Sequence, residues 1–235
     1  MNLSQKGTIA SIKQITKGTM EVAIKVSENF NFIAGQYIWL QVPLLKYPDT
    51  KGNTRMYSIS SSPNKKGELD IIFRLNENGY NRTLVEMIPG EEIIFSGPYG
   101  PQKLPEDKSV PVVFVAGGVG VASFLSMIRF STETDSGHKI VLIYTCESEK
   151  EMVYYDELKQ LEKDNSNLKI FSVVGLLKEN KLNSLVSDYI DKETFWSVIG
   201  PKSFVDFVGF YLNKKGVSLR DINFEQFYPS LPITK

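Results

Sequence analysis

The chain has 235 residues, and its 27 Lys and Arg balance 27 Asp and Glu, so its formal net charge is zero. This balance argues against nucleic-acid binding, which needs a cationic surplus. One Cys and one His exclude an intramolecular disulfide, a Cys-ligated zinc or iron–sulfur centre and any site with two His ligands. We therefore expect no metal site, and we expect a bound organic cofactor to supply the chemistry.

The N-terminal sequence MNLSQKGTIA lacks the features of a signal peptide. The uncharged run from Val110 to Ile128 is close in length to a membrane span. It contains Pro111 and three glycines, however, and it changes from a β-branched pattern to a helical one. We interpret it as a buried strand, a glycine turn and a helix, and we expect a cytoplasmic protein without membrane insertion.

Residues 1–105 consist of short runs with alternating apolar side chains, separated by turns. This pattern predicts an antiparallel Greek-key β-barrel. The predicted strands lie at 8–15, 20–27, 36–43, 55–61, 68–75 and 91–97. The only good helix in this half is predicted over Asn81–Met87, before Pro89 and Gly90.

From residue 106 onward, apolar strands alternate with helices, which predicts an α/β domain with a parallel sheet. The domain boundary is expected in the polar segment 104–111. The predicted strands are 112–116, 140–146, 168–174, 196–200 and 222–227, and the predicted helices are 121–130, 151–163, 181–190 and 203–214. In such a sheet, ligands bind at the carboxyl ends of the strands.

The run Arg55-Met56-Tyr57-Ser58 is the first candidate site. On a strand, Arg55 and Tyr57 share one face, where a guanidinium and an aromatic ring could hold a phosphate and a flat ring. A surface Arg and a half-buried Tyr on an edge strand would give the same four residues.

Two further motifs follow apolar strands in the second half. Gly117-Gly118-Val119-Gly120 separates a strand from a helix, where a pyrophosphate would meet the helix N-terminus. Gly200-Pro201 opens another helix. Of the remaining reactive residues, Cys146 is interpreted as a buried apolar side chain and His138 as a surface residue.

Taken in order, F-x-x-G-Q-Y from Phe32, R-M-Y-S, S-S-P, G-P-Y-G, A-G-G-V-G and G-P resemble the ferredoxin–NADP reductase superfamily. The resemblance implies an FAD-binding barrel followed by a nicotinamide-binding domain. It implies that Arg55 holds the flavin pyrophosphate, that Tyr57 packs on the isoalloxazine and that Ser58 lies near flavin N5. It also implies phosphate contacts around the short helix, for which the candidates are Gly79, Asn81, Arg82 and Thr83, with Asn81 as the N-cap. Arg74, at the end of the preceding strand, is a second candidate clamp, and an exposed strand cation would explain it equally well.

The same resemblance assigns the glycine turn 117–120, Gly200 and Pro201 to the nicotinamide dinucleotide. Val119, Ser123 and Ile199 replace the usual Thr, Pro and Cys of the family. The ending Phe224-Glu225-Gln226-Phe227-Tyr228-Pro229 is similar to that of flavohaemoglobin reductase modules. It implies that Phe227 covers the flavin and that Glu225 assists proton transfer.

The nucleotide preference depends on Glu147 and Glu149, which follow the second strand of the parallel sheet. A carboxylate binds the 2′-hydroxyl of NADH and repels the 2′-phosphate of NADPH. NADH is therefore favoured, although Lys150 keeps NADPH open.

These features predict a flavoprotein that passes hydride from NAD(P)H to FAD and then electrons to a separate acceptor. That acceptor is expected to be a small electron-transfer protein such as ferredoxin or flavodoxin, an oxygenase component or a diffusible molecule. Two alternatives remain: an NAD(P)H:flavin reductase that uses free flavin, and an FAD-binding electron-transfer or interaction module without nicotinamide turnover. The sequence indicates no oligomeric state.

Overall fold

A computed structural model describes residues 4–227, which form two compact units. The first unit comprises the residues up to Leu104 together with Ala122–Phe130. The second comprises Pro105–Val121 and the residues from Ser131 onward. Each unit has its own cluster of buried apolar side chains. Each unit is also discontinuous in the sequence, because each is made of two separate segments.

The first unit is built on six antiparallel strands in the order β4-β3-β6-β1-β2-β5. Ile59, just after β4, forms a bridge with Ile71 of β5, which joins the two edges of the sheet and closes it as a barrel. The strands are β1 (Gln5–Thr16), β2 (Thr19–Lys25), β3 (Tyr37–Gln41), β4 (Thr54–Ser58), β5 (Glu68–Arg74) and β6 (Glu92–Tyr99). The predicted antiparallel barrel is confirmed.

The short helix of this unit, α1 (Gly79–Val85), begins two residues before the predicted start. Asn78 caps it, because its Oδ1 accepts a hydrogen bond of 2.7 Å from the Asn81 backbone N–H. The predicted N-cap role of Asn81 is wrong. Its side chain lies inside the unit instead, where Nδ2 donates to the Arg74 carbonyl at 3.1 Å.

The second unit contains five parallel strands in the order β11-β10-β7-β8-β9. Every residue of β7 and β8 is buried, which explains why these strands are continuous apolar runs in the sequence. The strands are β7 (Val112–Gly117), β8 (Ile140–Cys146), β9 (Leu168–Val174), β10 (Phe195–Pro201) and β11 (Ile222–Phe227). The predicted parallel sheet is confirmed.

Four helices follow the strands in the predicted alternation: α2 (Val121–Glu133), α3 (Tyr155–Asp164), α4 (Glu179–Ile190) and α5 (Lys202–Lys214). Nowhere in residues 4–227 is a helix long and apolar enough to span a membrane. From β7 the chain proceeds outward through β8 and β9, whereas β10 and β11 lie on its other side. The order therefore reverses between β7 and β10, the position at which open α/β sheets bind ligands.

Residues 122–130 of α2 belong to the first unit through specific polar contacts. Ser123 Oγ donates to the Gly35 carbonyl at 3.1 Å, and Ser126 Oγ donates to the Ser61 carbonyl at 2.7 Å. Arg129 Nη1 donates to the Ser60 carbonyl at 2.8 Å. These bonds satisfy barrel carbonyls that lie outside the strand ladders.

His138 is buried, so its predicted surface position is wrong. Its Nε2 lies 2.9 Å from the Pro105 carbonyl oxygen, which can only accept, so Nε2 carries the proton and donates. Its Nδ1 lies 2.8 Å from Ser136 Oγ. Both ring nitrogens thus have partners inside the unit, which is why the imidazole is buried. Cys146 is buried as predicted.

Candidate functional site

Strand β4 carries the residues assigned to the flavin ring. Tyr57 is half-buried, and its ring centroid lies 5.6 Å from Phe73 and 6.3 Å from Tyr80. Burial raises the pKa of the Tyr57 phenol, so it is a neutral hydroxyl at physiological pH. Ser58 is also half-buried, at the end of the strand opposite Tyr37. Met56 points to the other face and is 38% exposed.

Arg55, the predicted phosphate clamp, is bound to its own chain. Its Nη2 lies 2.7 Å from Asp49 Oδ1. Its Nη1 donates to the carbonyls of Lys51, Gly52 and Thr54 at 3.0, 3.0 and 2.8 Å. The Arg55 side chain is only 18% exposed and the Asp49 side chain only 4%. The ion pair is therefore largely shielded from water.

The other oxygen of Asp49 reaches α1, because Oδ2 accepts a hydrogen bond of 2.9 Å from the Tyr80 backbone N–H. Burial by itself would raise the pKa of Asp49. The N–H groups of Tyr80 and Lys51, together with the Arg55 guanidinium, outweigh that cost and hold the pKa below its ordinary value. Asp49 is therefore an ionised carboxylate that joins β4 to the start of α1.

The segment that carries Asp49, residues 42–53 between β3 and β4, lies over the start of α1; we call it the β3–β4 loop. A Cβ added at Gly79 would collide with the Tyr47 and Pro48 carbonyl oxygens. Thr83 Oγ1 accepts from the Lys46 backbone N–H at 3.0 Å and donates to the Gly79 carbonyl at 2.8 Å. The Arg82 guanidinium lies 3.7 Å above the Tyr47 ring centre.

The residues predicted to bind the pyrophosphate thus fall into two groups. Arg55, Gly79, Arg82 and Thr83 all contact the β3–β4 loop, whereas Arg74 is exposed at the end of β5. Tyr57 and Ser58, the residues assigned to the flavin ring, lie together at the end of β4. A carboxylate already engages the Arg55 guanidinium in this arrangement, so a ligand phosphate at Arg55 would have to displace Asp49.

In the second unit, the two glycine motifs lie side by side at the carboxyl ends of β7 and β10. Gly117 is tightly packed, because an added Cβ would lie 3.0 Å from the Phe204 ring and 3.2 Å from Pro201. A Cβ at Gly120 would lie 2.6 Å from the Ile199 carbonyl oxygen. Gly118 has a φ of +56° and open space at its Cβ position. The turn therefore presents bare backbone ahead of α2, which fits a dinucleotide pyrophosphate.

A Cβ at Gly200 would lie 2.8 Å from the Phe204 ring and 3.2 Å from Gly117 Cα, so the two motifs depend on each other's missing side chains. Val119 is half-buried in the turn and Ile199 is fully buried. Glu147 is exposed immediately after β8, the neighbour of β7, at the same edge of the sheet. This is where a ribose hydroxyl would be recognised.

The tail residues lie at this edge as well. Strand β11 pairs with β10 so that Glu225 is opposite Ile199 and Phe227 is opposite Pro201. Both Glu225 and Phe227 are half-buried. Tyr228 and Pro229, the end of the predicted tail motif, lie outside the described residues.

Comparison with family models identifies both units. Residues 6–103 match the model of the oxidoreductase FAD-binding domain. Residues 114–208 match that of the oxidoreductase NAD-binding domain. The chain belongs to the ferredoxin–NADP reductase superfamily. It is therefore an FAD- and NAD-binding oxidoreductase by its domains, as the sequence motifs predict.

Among curated proteins, the chain is 26% identical over 211 residues to flavohemoprotein A of Dictyostelium discoideum, covering 84% of this chain and 53% of that protein. It is 25% identical over 234 residues to the ferredoxin–NAD(P)(+) reductase component of a Pseudomonas putida naphthalene 1,2-dioxygenase system, covering 95% and 69%. The chain thus spans about half to seven tenths of these relatives' lengths. The fold is shared with ferredoxin–NADP+ reductase from Plasmodium falciparum, with a TM-score of 0.80, 18% identity and 97% and 99% coverage.

The sequence interpretation did not identify Asp49 as a site residue. Asp49 is six residues before Arg55 in an apparent surface loop of Pro, Thr, Lys and Gly. Its role depends on a contact with Tyr80, which is 31 residues away in the sequence. The only local indication of this role is an acidic residue six positions before Arg55, and that spacing does not predict the contact with α1.

Proposed function

We propose that this chain takes a hydride from NAD(P)H, with a preference for NADH, passes it to a bound flavin, and delivers electrons to a separate acceptor. The observation that carries the proposal is the presence of an FAD-binding and an NAD-binding oxidoreductase domain in one chain. When bound, the flavin would supply the conversion of a hydride into transferable electrons. The protein contributes binding and orientation.

On the nucleotide side, the backbone N–H groups of Gly118–Gly120 and the start of α2 would hold the dinucleotide pyrophosphate. Gly200 would hold β10 close to the glycine turn beside the dinucleotide, because its missing side chain leaves room for Phe204 and Gly117, and Pro201 follows it at the end of β10. Glu147 would accept a hydrogen bond from the ribose 2′-hydroxyl and repel a 2′-phosphate. These assignments account for the proposed preference for NADH.

On the flavin side, the aromatic face of Tyr57 would support the ring, and the Ser58 hydroxyl would hydrogen-bond near its reacting nitrogen. Both residues are held by the β3–β4 pairing. Phe227 would shield the ring from water, and Glu225 would hold or move a proton. Both roles are carried over from the resemblance of this tail to flavohaemoglobin reductase modules.

The proposed acceptor is a small electron-transfer protein or an oxygenase component. The support is that several relatives are named as reductase or electron-transfer components of oxygenase systems, including a toluate 1,2-dioxygenase electron transfer component from Pseudomonas putida. A diffusible acceptor would serve the same chemistry.

The test is an anaerobic visible spectrum of the protein with stoichiometric flavin, recorded before and after addition of NADH and then NADPH. Bleaching by NADH at a higher rate than by NADPH is the expected result. Binding of flavin without bleaching by either nucleotide would contradict the proposal and favour a module without nicotinamide turnover.

A second candidate is an NAD(P)H:flavin reductase that binds and releases flavin as a substrate. It is favoured by one observation, the engagement of Arg55 by Asp49 in place of a ligand phosphate. Turnover that requires added flavin would distinguish it from a reductase with a resident flavin.

A further inference from the structure

The part of the first unit assigned to the flavin phosphates, where Arg55 meets the start of α1, contains an anion that belongs to the protein. Asp49 places one carboxylate oxygen 2.7 Å from Arg55 Nη2 and the other 2.9 Å from the Tyr80 N–H of α1. An arginine guanidinium and a backbone N–H are donors that a phosphate would use. The carboxylate therefore makes the contacts that a phosphate would make.

The surrounding loop supports this arrangement. Arg55 Nη1 donates to three backbone carbonyls of the loop and its end. A bidentate phosphate contact would need these same N–H groups. Arg55 Cζ also lies 4.8 Å from the Tyr80 ring centre, so the guanidinium is held against an aromatic face. Contacts of Lys46 with Thr83 and of Tyr47 with Glu86, at 3.0 and 2.7 Å, attach the loop to α1.

We propose that Asp49 is a specificity-determining residue, whose carboxylate fills the phosphate clamp so that flavins bind through their ring and gain little from their phosphates. The inference rests on the proposed function. It specifies which flavins the chain accepts: riboflavin, FMN and FAD bind with comparable affinity. A phosphate that approached Arg55 would have to displace Asp49 and would be repelled by its charge.

The substitution Asp49→Asn separates charge from shape. The amide oxygen retains an acceptor for the Tyr80 N–H, whereas the negative charge beside Arg55 is lost. The matched control is Glu77→Gln, which removes the same charge from an exposed position two residues before α1. Dissociation constants for the three oxidised flavins are measured by quenching of flavin fluorescence, which needs no turnover.

For the wild-type chain, we expect the FAD dissociation constant to lie within about tenfold of that of riboflavin, which is about 1.4 kcal/mol. In Asp49→Asn, we expect FMN and FAD to bind at least about tenfold more tightly while riboflavin stays within about threefold. Glu77→Gln should leave all three constants within about threefold of wild type.

A wild-type preference for FAD over riboflavin of more than about tenfold overturns the inference, and this comparison needs no variant to fold. A folded Asp49→Asn protein without the selective gain for FMN and FAD overturns it as well. These outcomes differ from failure of the proposed function, which would appear as no flavin binding or as no reduction of any flavin by NADH or NADPH.

Discussion

Glu21 is a carboxyl group on β2 whose side chain faces a charged cluster in the first unit. The residue is only 9% exposed, and burial, followed by the nearby Asp70 carboxylate, raises its pKa despite Lys13, Arg129 and Lys65. In the unfolded chain Glu21 ionises at a lower pH than in the folded chain. The contribution of Glu21 to stability is therefore fully present below its unfolded pKa and is lost as the pH rises through its folded pKa.

We predict that Glu21→Gln stabilises the protein near pH 7 by about 2–4 °C in melting temperature and has little effect at about pH 4. The reason is that glutamine keeps the shape of the side chain without its charge. Thermal melts across this pH range provide the measurement, with exposed Glu28→Gln as the control. An equal shift at both pH values would contradict the assignment of the effect to ionisation.

Glu147 is the residue that we expect to set the nucleotide preference. We predict that Glu147→Arg raises the ratio of kcat/KM for NADPH to that for NADH by about tenfold or more, because a guanidinium attracts the 2′-phosphate. Steady-state kinetics with a saturating dye acceptor measure the ratio. Glu193→Arg, which places the same charge change before β10, should leave it unchanged.

At the scale of elements, the close approach of the turn after β7 to β10 depends on Gly120. We predict that Gly120→Ala lowers the free energy of unfolding by about 1–3 kcal/mol, because the new Cβ meets the Ile199 carbonyl, which is backbone. It should also weaken NADH binding, since the turn must move.

Urea unfolding and NADH titration test this prediction together. Gly137→Ala is the control, because Gly137 has a φ of +78° but open space around its Cβ position. It should cost about 1 kcal/mol from backbone strain and leave NADH binding intact. Equal effects of the two variants on NADH binding would show that the contact with Ile199 is unimportant.

The sequence predicted the elements well because their patterns are local. Strands such as β7 and β8 are buried on both faces and appear as uninterrupted apolar runs, while the barrel strands alternate. The start of α1 was less predictable, since Asn78 and Asn81 are both suitable caps and only the buried bond from Asn81 to Arg74 decides between them. His138 was predicted at the surface because its partner, the Pro105 carbonyl, is 33 residues away.

The glycine turn between β7 and α2 could be predicted, because its motif defines a backbone shape. The position of a side chain could not be predicted where a long-range contact redirects it. Arg55 has the correct place on β4, but the fold brings Asp49 and the β3–β4 loop against it. No periodicity or spacing encodes that contact, since it depends on how residues 42–53 lie over α1.

At the scale of the whole molecule, the first unit needs residues from beyond its own strands. We predict that a fragment of residues 1–104 binds hydrophobic dyes and unfolds without a cooperative transition. It would lack the donors Ser123, Ser126 and Arg129, which satisfy three of its carbonyls. Calorimetry of the fragment beside the intact chain gives the comparison. A fragment as cooperative as the intact chain would contradict this dependence.

This discontinuity has a consequence for how the protein is made. A ribosome releases the chain from its N-terminus, at about 5–20 residues per second. The central strand of the parallel sheet, β7, therefore emerges before Ala122–Phe130, the last segment that the first unit requires. The nascent barrel stays incomplete until part of the following unit has left the tunnel, so vectorial synthesis couples the folding of the two halves in time.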